Sequence, residues 1–200
     1  MACKYVNMTD VNANCTDRPL SAATSAPRVE PTCVDPRHVT MVELLFFAYR
    51  DFTAEADAIL GELGFGRAHH RVLHFVNRHP GLRVADLLSI LKITKQSLAR
   101  VLKQLVDRGY IRQAAGPNDR RERRLHLTDC GRALADRLLA LQARRLGAAL
   151  DGAGPEAADA ASAFLFGVIS VGERSDVQRI VDVRGTAVVE HRGEGTAHGR

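Results

Sequence analysis

The sequence lacks a hydrophobic run long enough to cross a membrane. Its 200 residues are 46% hydrophobic, but no stretch reaches the roughly 18 apolar residues that a membrane-spanning helix needs. Residues Met1–Asn7 also lack the apolar core of a secretory signal peptide. We therefore expect a cytoplasmic protein with no membrane partner, formed by one ordinary domain with tails.

Cysteine is scarce and irregularly spaced. The four cysteines are Cys3, Cys15, Cys33 and Cys130, and no two form a Cys-x-x-Cys pair. This pattern predicts neither a zinc site nor a disulfide framework, so free thiols in a reducing compartment are expected. A redox role stays open for Cys33, just before the first predicted helix, and for Cys130, at the start of a helix after the predicted hairpin.

Signatures of common enzymes are absent as well. There is no phosphate-binding loop and no Gly-x-Gly-x-x-Gly motif, and spacing suggests no Ser-His-Asp set. The glycines of Gly61–Gly66 separate two predicted helices and do not follow a strand. We therefore predict a protein that is not an enzyme and has no cofactor.

Positive charge is concentrated in one segment. The formal net charge of the chain is +5, yet residues 92–124 hold ten Lys or Arg and only three acids, which is a net charge of +7. The other residues therefore carry a net charge of −2. A basic segment on a nearly neutral protein predicts a polyanionic partner.

Composition divides the chain into a folded region, at 37–175, and two tails. Residues 1–36 contain four prolines and no sustained periodicity, which predicts a disordered leader. Residues 176–200 predict a second tail, although residues 177–189 fit either a short strand or a helix extension.

Helical periodicity recurs along the folded region. It predicts helices at 38–60, 67–78, 84–91 and 94–108 and two more between Thr128 and Val171. The helix at 38–60 is apolar on several sides. Such a helix is usually buried on several sides, which in a small domain indicates a partner subunit.

The helix at 94–108 has two contrasting faces and is followed by a hairpin. Thr94 is its predicted N-cap, and Leu98, Val101, Leu102, Leu105 and Val106 form a buried stripe. Strands at 110–113 and 123–127 flank turn-forming residues 115–119. Four arginines, Arg120, Arg121, Arg123 and Arg124, lie at the tip and base of this hairpin.

Two short helices with a tight turn between them, followed by a hairpin, predict a mainly α winged helix-turn-helix with a small β-hairpin wing. The major groove of DNA is about 12 Å wide and admits one helix, which needs one packed face and one face of long donors. Arginine suits the narrow minor groove, where the potential is most negative. We therefore predict binding to double-stranded DNA.

Residues 67–131 resemble the MarR family of bacterial regulators. Residues 87–102 are similar to its helix-turn-recognition-helix, and residues 105–111 to its helix-to-wing junction. Asn118-Asp119-Arg120-Arg121 followed by Leu127-Thr128-Asp129-Cys130-Gly131 matches the wing pattern D-x-R…L-T-x-x-G. The resemblance implies a DNA-binding core at 67–131 and dimerisation helices at 38–60 and 132–172. One departure is Arg83, which stands where the family usually has a Ser or Thr cap.

The resemblance also implies that Arg121 enters the minor groove and that Asp119 orients the wing. The predicted DNA-binding residues are Thr94, Lys95, Gln96, Ser97, Arg100, Lys103, Asp119, Arg120, Arg121 and Arg123. A homodimer is expected because two recognition helices related by a two-fold axis read a pseudo-palindrome with half-sites about 34–36 Å apart. Repression is the commoner activity in the family.

Family members commonly release DNA when a small molecule, often a phenolic or aromatic acid, binds between the dimer helices and the winged domain. Arg67, His70 and His74 are the candidates for such a pocket, since His70 and His74 share a helix face. The same pair could begin a metal site, but no Cys or carboxylate has the spacing to complete one. No metal is therefore predicted.

Two other functions were weighed for the same fold. A winged helix used only for protein–protein contacts would not need the arginine-rich wing, and its binding would not depend on Arg121. Coating of DNA without sequence preference is disfavoured by the polar side chains of Gln96, Ser97 and Gln104 on the predicted recognition helix.

Overall fold

The computed structural model describes residues 34–117, 119 and 122–182. Contacts divide the chain into two units, Met1–Glu43 and Leu44–Arg200. The described part of the first unit opens the first helix, and every later element belongs to the second unit. The predicted leader lies outside the described residues except for its last three, and the last of these, Pro36, already belongs to the first helix.

The described chain is mainly helical and carries one small antiparallel sheet, which confirms the predicted fold class. The helices are α1 (Pro36–Glu62), α2 (Arg67–Arg78), α3 (Val84–Leu91), α4 (Lys95–Asp107), α5 (Asp129–Ala153), α6 (Ala157–Val168) and α7 (Arg174–Asp182), with a 3₁₀ turn at Val171–Glu173. The strands are β1 (Leu82–Arg83), β2 (Ile111–Ala115) and β3 (Arg123–Leu127). None of these helices is long and apolar enough to cross a membrane.

Side-chain caps define where α4 and α5 begin. Thr94 Oγ1 accepts a hydrogen bond from the Ser97 backbone N–H at 3.1 Å, and Thr128 Oγ1 accepts one from that of Gly131 at 3.1 Å. Each cap satisfies an N–H that has no partner inside its helix. Arg83, the residue that precedes α3, forms no such side-chain cap. There the Arg83 guanidinium donates to both Asp86 oxygens, at 2.7 and 2.6 Å.

The sheet has three strands in the order β1-β3-β2, whereas the sequence predicted only the hairpin of β2 and β3. Leu125 of β3 pairs with Gln113 on one side and with Leu82 of β1 on the other, both antiparallel. β1 has only two residues, too few to show an alternating pattern, and it is a strand only because β3 lies beside it. β2 also extends through Ala115, where the turn was expected to begin.

The second tail was predicted to begin at residue 176, but residues 176–182 are helical. α7 occupies residues 174–182, so a helix is the alternative that holds in the described part of 177–189. The preceding helix was predicted to run to Val171, but α6 ends at Val168. Lys92 Nζ lies 3.0 Å from a carboxylate oxygen of Glu173, which ties the turn between α3 and α4 to the start of α7.

The core lies among α2, α3, α4, α5, the sheet and the last turns of α1, which contribute Ala56 and Leu60. Its fully buried side chains include Val72, Leu73, Leu87, Leu98, Leu105, Ile111, Leu125 and Leu138. Within α1 only Thr53, Ala56 and Leu60 are buried. Residues 44–52 of this helix are exposed or only partly buried.

The start of α5 lies directly against the end of α4 and the start of the hairpin. Thr128 Oγ1 donates to the Gly109 carbonyl at 2.6 Å, and the Thr128 N–H donates to the Tyr110 carbonyl at 3.1 Å. A Cβ atom on Gly131 would lie only 2.0 Å from that Tyr110 oxygen. The Thr-x-x-Gly pattern thus has a physical reason, since Thr128 caps the helix and Gly131 permits the close approach.

The first prediction concerns Gly131→Ala. Alanine favours a helix over glycine by about 1 kcal/mol, but here its methyl group would overlap backbone that cannot swing aside. We expect a net loss of about 3 kcal/mol or more in the free energy of unfolding. Urea denaturation followed by circular dichroism measures it.

Gly61→Ala is the matched control, because Gly61 is also helical and a Cβ atom there would meet nothing within 4 Å. It should leave stability unchanged or raise it by up to about 1 kcal/mol. Equal stabilities for the two variants would contradict the close contact at Tyr110.

Candidate nucleic-acid interface

α4 separates its residues into a buried and an exposed face, as the sequence predicted. Leu98 and Leu102 are 1% and 4% exposed and pack into the core. Gln96, Arg100 and Lys103 are exposed and follow one another at spacings of four and three residues, so they share one face of the helix. This face can present donors to the edges of base pairs and to phosphates.

The predicted contact residues of α4 fall into two groups. Thr94 and Ser97 belong to the cap, where the two hydroxyl oxygens also lie 2.9 Å apart in a hydrogen bond. Lys103 Nζ is 2.5 Å from an Asp107 oxygen. The other predicted contact residues of α4 are Lys95, Gln96 and Arg100. Within the described residues, no hydrogen bond or ion pair holds their side chains. Their polar groups are the ones that remain for a ligand.

The wing is a tightly closed hairpin. The Gly116 N–H donates to the Glu122 carbonyl at 3.0 Å, and the Glu122 N–H donates to the Asp119 carbonyl at 3.1 Å. Gly116 is buried, and a Cβ atom there would lie 2.8 Å from the Asp119 oxygen. Asp119 and Arg123 are both exposed. The other two predicted wing residues, Arg120 and Arg121, lie outside the described residues.

The arginines of β3 are not equivalent. Arg124 Nε donates to Glu122 Oε1 at 2.8 Å, and Arg83 approaches the other oxygen of Glu122 at 4.0 Å. The charge of Arg124 is therefore compensated inside the protein. Arg123, the neighbouring residue, has no ion pair among the described residues. Uncompensated positive charge thus lies on the exposed side of the hairpin.

The histidines that the sequence grouped together occupy different environments. The Gly66 N–H donates to His69 Nδ1 at 3.1 Å, which makes Nδ1 an acceptor and leaves the proton on Nε2. His69 Nε2 lies 2.6 Å from Gln104 Oε1 and donates to it. His69 is therefore a fully hydrogen-bonded structural residue of α2, and it engages the side chain of Gln104 of α4.

The three predicted pocket residues do lie together. Arg67, His70 and His74 line one cavity of about 390 Å³. Residues that the sequence did not indicate complete its lining, namely Tyr49, Phe52, Thr53, Arg71, Phe75 and Gln142. Arg67 Nε is 2.8 Å from an Asp57 oxygen. The cavity combines aromatic walls with cationic and hydrogen-bonding groups.

His70 is the most buried of the titratable residues that line this cavity. Burial lowers the pKa of its imidazole, while the charge of Asp57 and a hydrogen bond with Gln142 act in the opposite direction. His70 is therefore mainly neutral at pH 7. No three His, Cys, Asp or Glu side chains in the described ranges are grouped so as to hold a metal ion.

Of the two cysteines for which a redox role stayed open, the structure describes only Cys130. Cys130 is a free, exposed thiol in the first turn of α5. Cys33 lies outside the described residues.

Known proteins are similar to this chain in sequence and in fold. The sequence profile of the MarR family matches residues 63–122. The HTH-type transcriptional regulator PetP of Rhodobacter capsulatus is 52% identical over 116 residues, which is 58% of this chain and 70% of PetP.

Solved structures with low sequence identity show the same fold. Streptococcus pneumoniae FabT in complex with DNA aligns with a TM-score of 0.59 at 17% identity, over 74% of this chain and 99% of FabT. A mutant MarR from E. coli complexed with operator DNA aligns with a TM-score of 0.52 at 20% identity, over 68% of this chain and 100% of that chain.

The exposed donor face of α4, the adjoining wing and the identity to PetP agree on one assignment. MarR-family transcriptional regulators are DNA-binding regulators and not enzymes. This chain belongs to the MarR family of winged-helix transcription regulators.

Proposed function

We propose that this chain is a cytoplasmic, homodimeric repressor that binds a pseudo-palindromic operator. α4 enters the major groove, and the arginine-rich wing enters the minor groove. The observation that carries the proposal is the exposed face of Lys95, Gln96 and Arg100, whose polar groups have no partner in the described residues. Such a face beside a wing with uncompensated charge matches the needs of groove binding.

Exposed apolar side chains support the dimer. In the second unit, Leu44, Phe46 and Phe47 of α1 are 61%, 69% and 56% exposed, and Phe164 and Leu165 of α6 are 45% and 55% exposed. Large apolar side chains exposed in this number on a soluble protein mark an interaction surface. A second copy of this chain, packed against α1 and α6, would remove these side chains from water and supply the second recognition helix.

The relatives support the DNA partner. FabT and the MarR mutant were each solved with DNA, the latter with operator DNA. We propose repression because it is the commoner activity in the family. The base contacts made by α4 and the wing would determine which operator sequence is bound.

A small aromatic anion is the effector that we propose for the cavity at Arg67, His70 and His74. Tyr49, Phe52 and Phe75 offer apolar walls to a ring. Arg67, Arg71 and a protonated His70 offer charge-assisted hydrogen bonds to a carboxylate. Filling this cavity would lower the affinity for DNA.

The second prediction tests operator recognition by genome-wide DNA pull-down. Wild-type protein should enrich a short pseudo-palindrome, and Arg121→Ala should lose that enrichment because one minor-groove contact per subunit is removed. Arg124→Gln is the matched control, since Glu122 already compensates Arg124, and it should enrich the wild-type sites. If Arg121→Ala enriched the same sites equally, the wing mechanism would be wrong and a protein–protein role would be favoured.

The third prediction tests the dimer. Phe46→Glu places a charge in the apolar surface of α1 and should convert a dimer into a monomer at micromolar concentration, because burying an unpaired carboxylate is costly. Sedimentation equilibrium measures the mass. Gln113→Glu adds the same charge on the exposed wing and should stay dimeric. A wild-type monomer would refute the proposed assembly.

The fourth prediction concerns the effector and pH. Benzoate should bind more tightly as pH falls from 8 to 6. Burial lowers the pKa of His70, so this residue is mainly neutral in the free protein at pH 7, whereas a bound anion favours its protonated form. Binding therefore takes up a proton. Calorimetry in buffers of different ionisation enthalpy measures that uptake.

His70→Gln should abolish the proton uptake on benzoate binding, and Arg67→Met should weaken binding at every pH. His126→Gln is the control, because His126 does not line the cavity. Uptake that persists in His70→Gln would assign the proton to another group.

A further inference from the structure

The C-terminal turn of α4 is attached to the junction between α1 and α2. Arg108 Nη1 donates to the Leu63 carbonyl, and the Arg108 guanidinium lies 5.0 Å from the centre of the Phe65 ring. One turn earlier, Gln104 accepts the hydrogen bond from His69. We call Phe65, His69, Gln104 and Arg108 the junction latch.

Phe65 is the centre of the junction latch. Its ring stacks on His69 at 4.7 Å and meets the edge of Tyr110 at 5.3 Å, and only 6% of the residue is exposed. A cation over an aromatic ring and pairs of aromatic rings each add to the stabilisation from burial. The ring therefore joins the α1–α2 junction to the end of α4 and to the start of the wing.

The junction itself has a defined backbone. Gly64 has φ +63°, and the Phe65 N–H donates to the Leu60 carbonyl at 2.8 Å. The Leu63 carbonyl lies just beyond the last turn of α1, where helix carbonyls lack intrahelical partners and a cation is favourable. Arg108 supplies that cation. The contact therefore joins the end of α1 to the end of α4.

We infer that Gln104 and Arg108 are positioning residues, which hold α4 at a fixed angle to α1 and do not contact DNA. Both belong to the basic, polar segment that reads as a DNA-binding surface in the sequence. In the structure their side chains are committed to the α1–α2 junction. This inference rests on the proposed dimeric operator binding, because the angle matters when α1 belongs to the dimer interface.

The expected consequence is control of half-site spacing. Recognition helices about 34–36 Å apart read two half-sites of one operator. α4 has 13 residues and is therefore about 20 Å long. A rotation of about 10° at its junction-latch end would move its N-terminal end by ~3 Å, close to the roughly 3.4 Å between successive base pairs. A dimer with an intact junction latch should therefore tolerate only one spacer length.

The experiment measures the affinity of full-length protein for the operator that wild type selects, with the central spacer unchanged, shortened or lengthened by one base pair. Each affinity is measured over a range of salt concentrations. The variants are Arg108→Met and Gln104→Leu, and the matched control is Arg100→Met, on the exposed face of the same helix.

We expect wild type to prefer its own spacer at least tenfold. Arg108→Met and Gln104→Leu should reduce this preference to less than about threefold and keep the wild-type salt slope. Arg100→Met should keep the preference and lower the slope by about 2 per dimer, since each lost phosphate contact lowers it by about 1. Partial unfolding would lower affinity for all spacers alike, so the ratio reports positioning alone.

Three results would overturn the inference. A salt slope that falls for Arg108→Met as it does for Arg100→Met would make Arg108 a phosphate contact. An unchanged spacer preference in Arg108→Met and Gln104→Leu would leave them no positioning role. Wild type that binds no pseudo-palindrome would refute the proposed function itself, which the wild-type arm alone reveals.

If Arg108→Met fails to fold, Arg108→Lys answers the same question. It keeps the charge but cannot reproduce the flat guanidinium over Phe65. Loss of spacer preference in Arg108→Lys would support positioning through the guanidinium. Wild-type preference in Arg108→Lys together with an unchanged preference in Gln104→Leu would contradict it.

Discussion

The close contact between Gly131 and the Tyr110 carbonyl is the constraint on which the proposed DNA-binding surface depends. The Tyr110 N–H donates to the Leu105 carbonyl at 2.8 Å, which ends α4, and its own carbonyl accepts the N–H of Thr128. α4, the wing and α5 therefore meet at one peptide unit. Because α4 and the wing, the two elements proposed to contact DNA, both leave from this point, backbone contacts fix their relative orientation.

Local signals explain which parts of the fold the sequence predicts well. Thr94 and Thr128 stand directly before helical stripes, and each cap involves a backbone N–H three residues away, so the helix starts could be recognised from a short window. β1 has no such signal, because Leu82 and Arg83 become a strand only through pairing with distant β3. α7 is short, and its three apolar residues at helical spacing, Val177, Ile180 and Val181, are too few to separate a helix from a strand or a tail.

The same division between local and distant causes holds for the functional residues. Arg67, His70 and His74 could be grouped from the sequence because they lie on one helix, but Tyr49 and Gln142, on α1 and α5, could not. Charge patterns likewise located a basic segment without showing where each side chain points. Arg123 and Arg124 are neighbours, yet only Arg124 is compensated by Glu122.

α2 connects the two proposed regulatory features, since consecutive residues of this helix serve each of them. His69 belongs to the junction latch, and His70 lines the cavity about 100° further around the helix. A ligand that moves α2 on its cavity side would therefore also move His69 against Gln104, and so would change how α4 is held. Such coupling is reciprocal for binding free energies, so an effector that weakens operator binding must itself be bound more weakly by the operator complex, by the same factor.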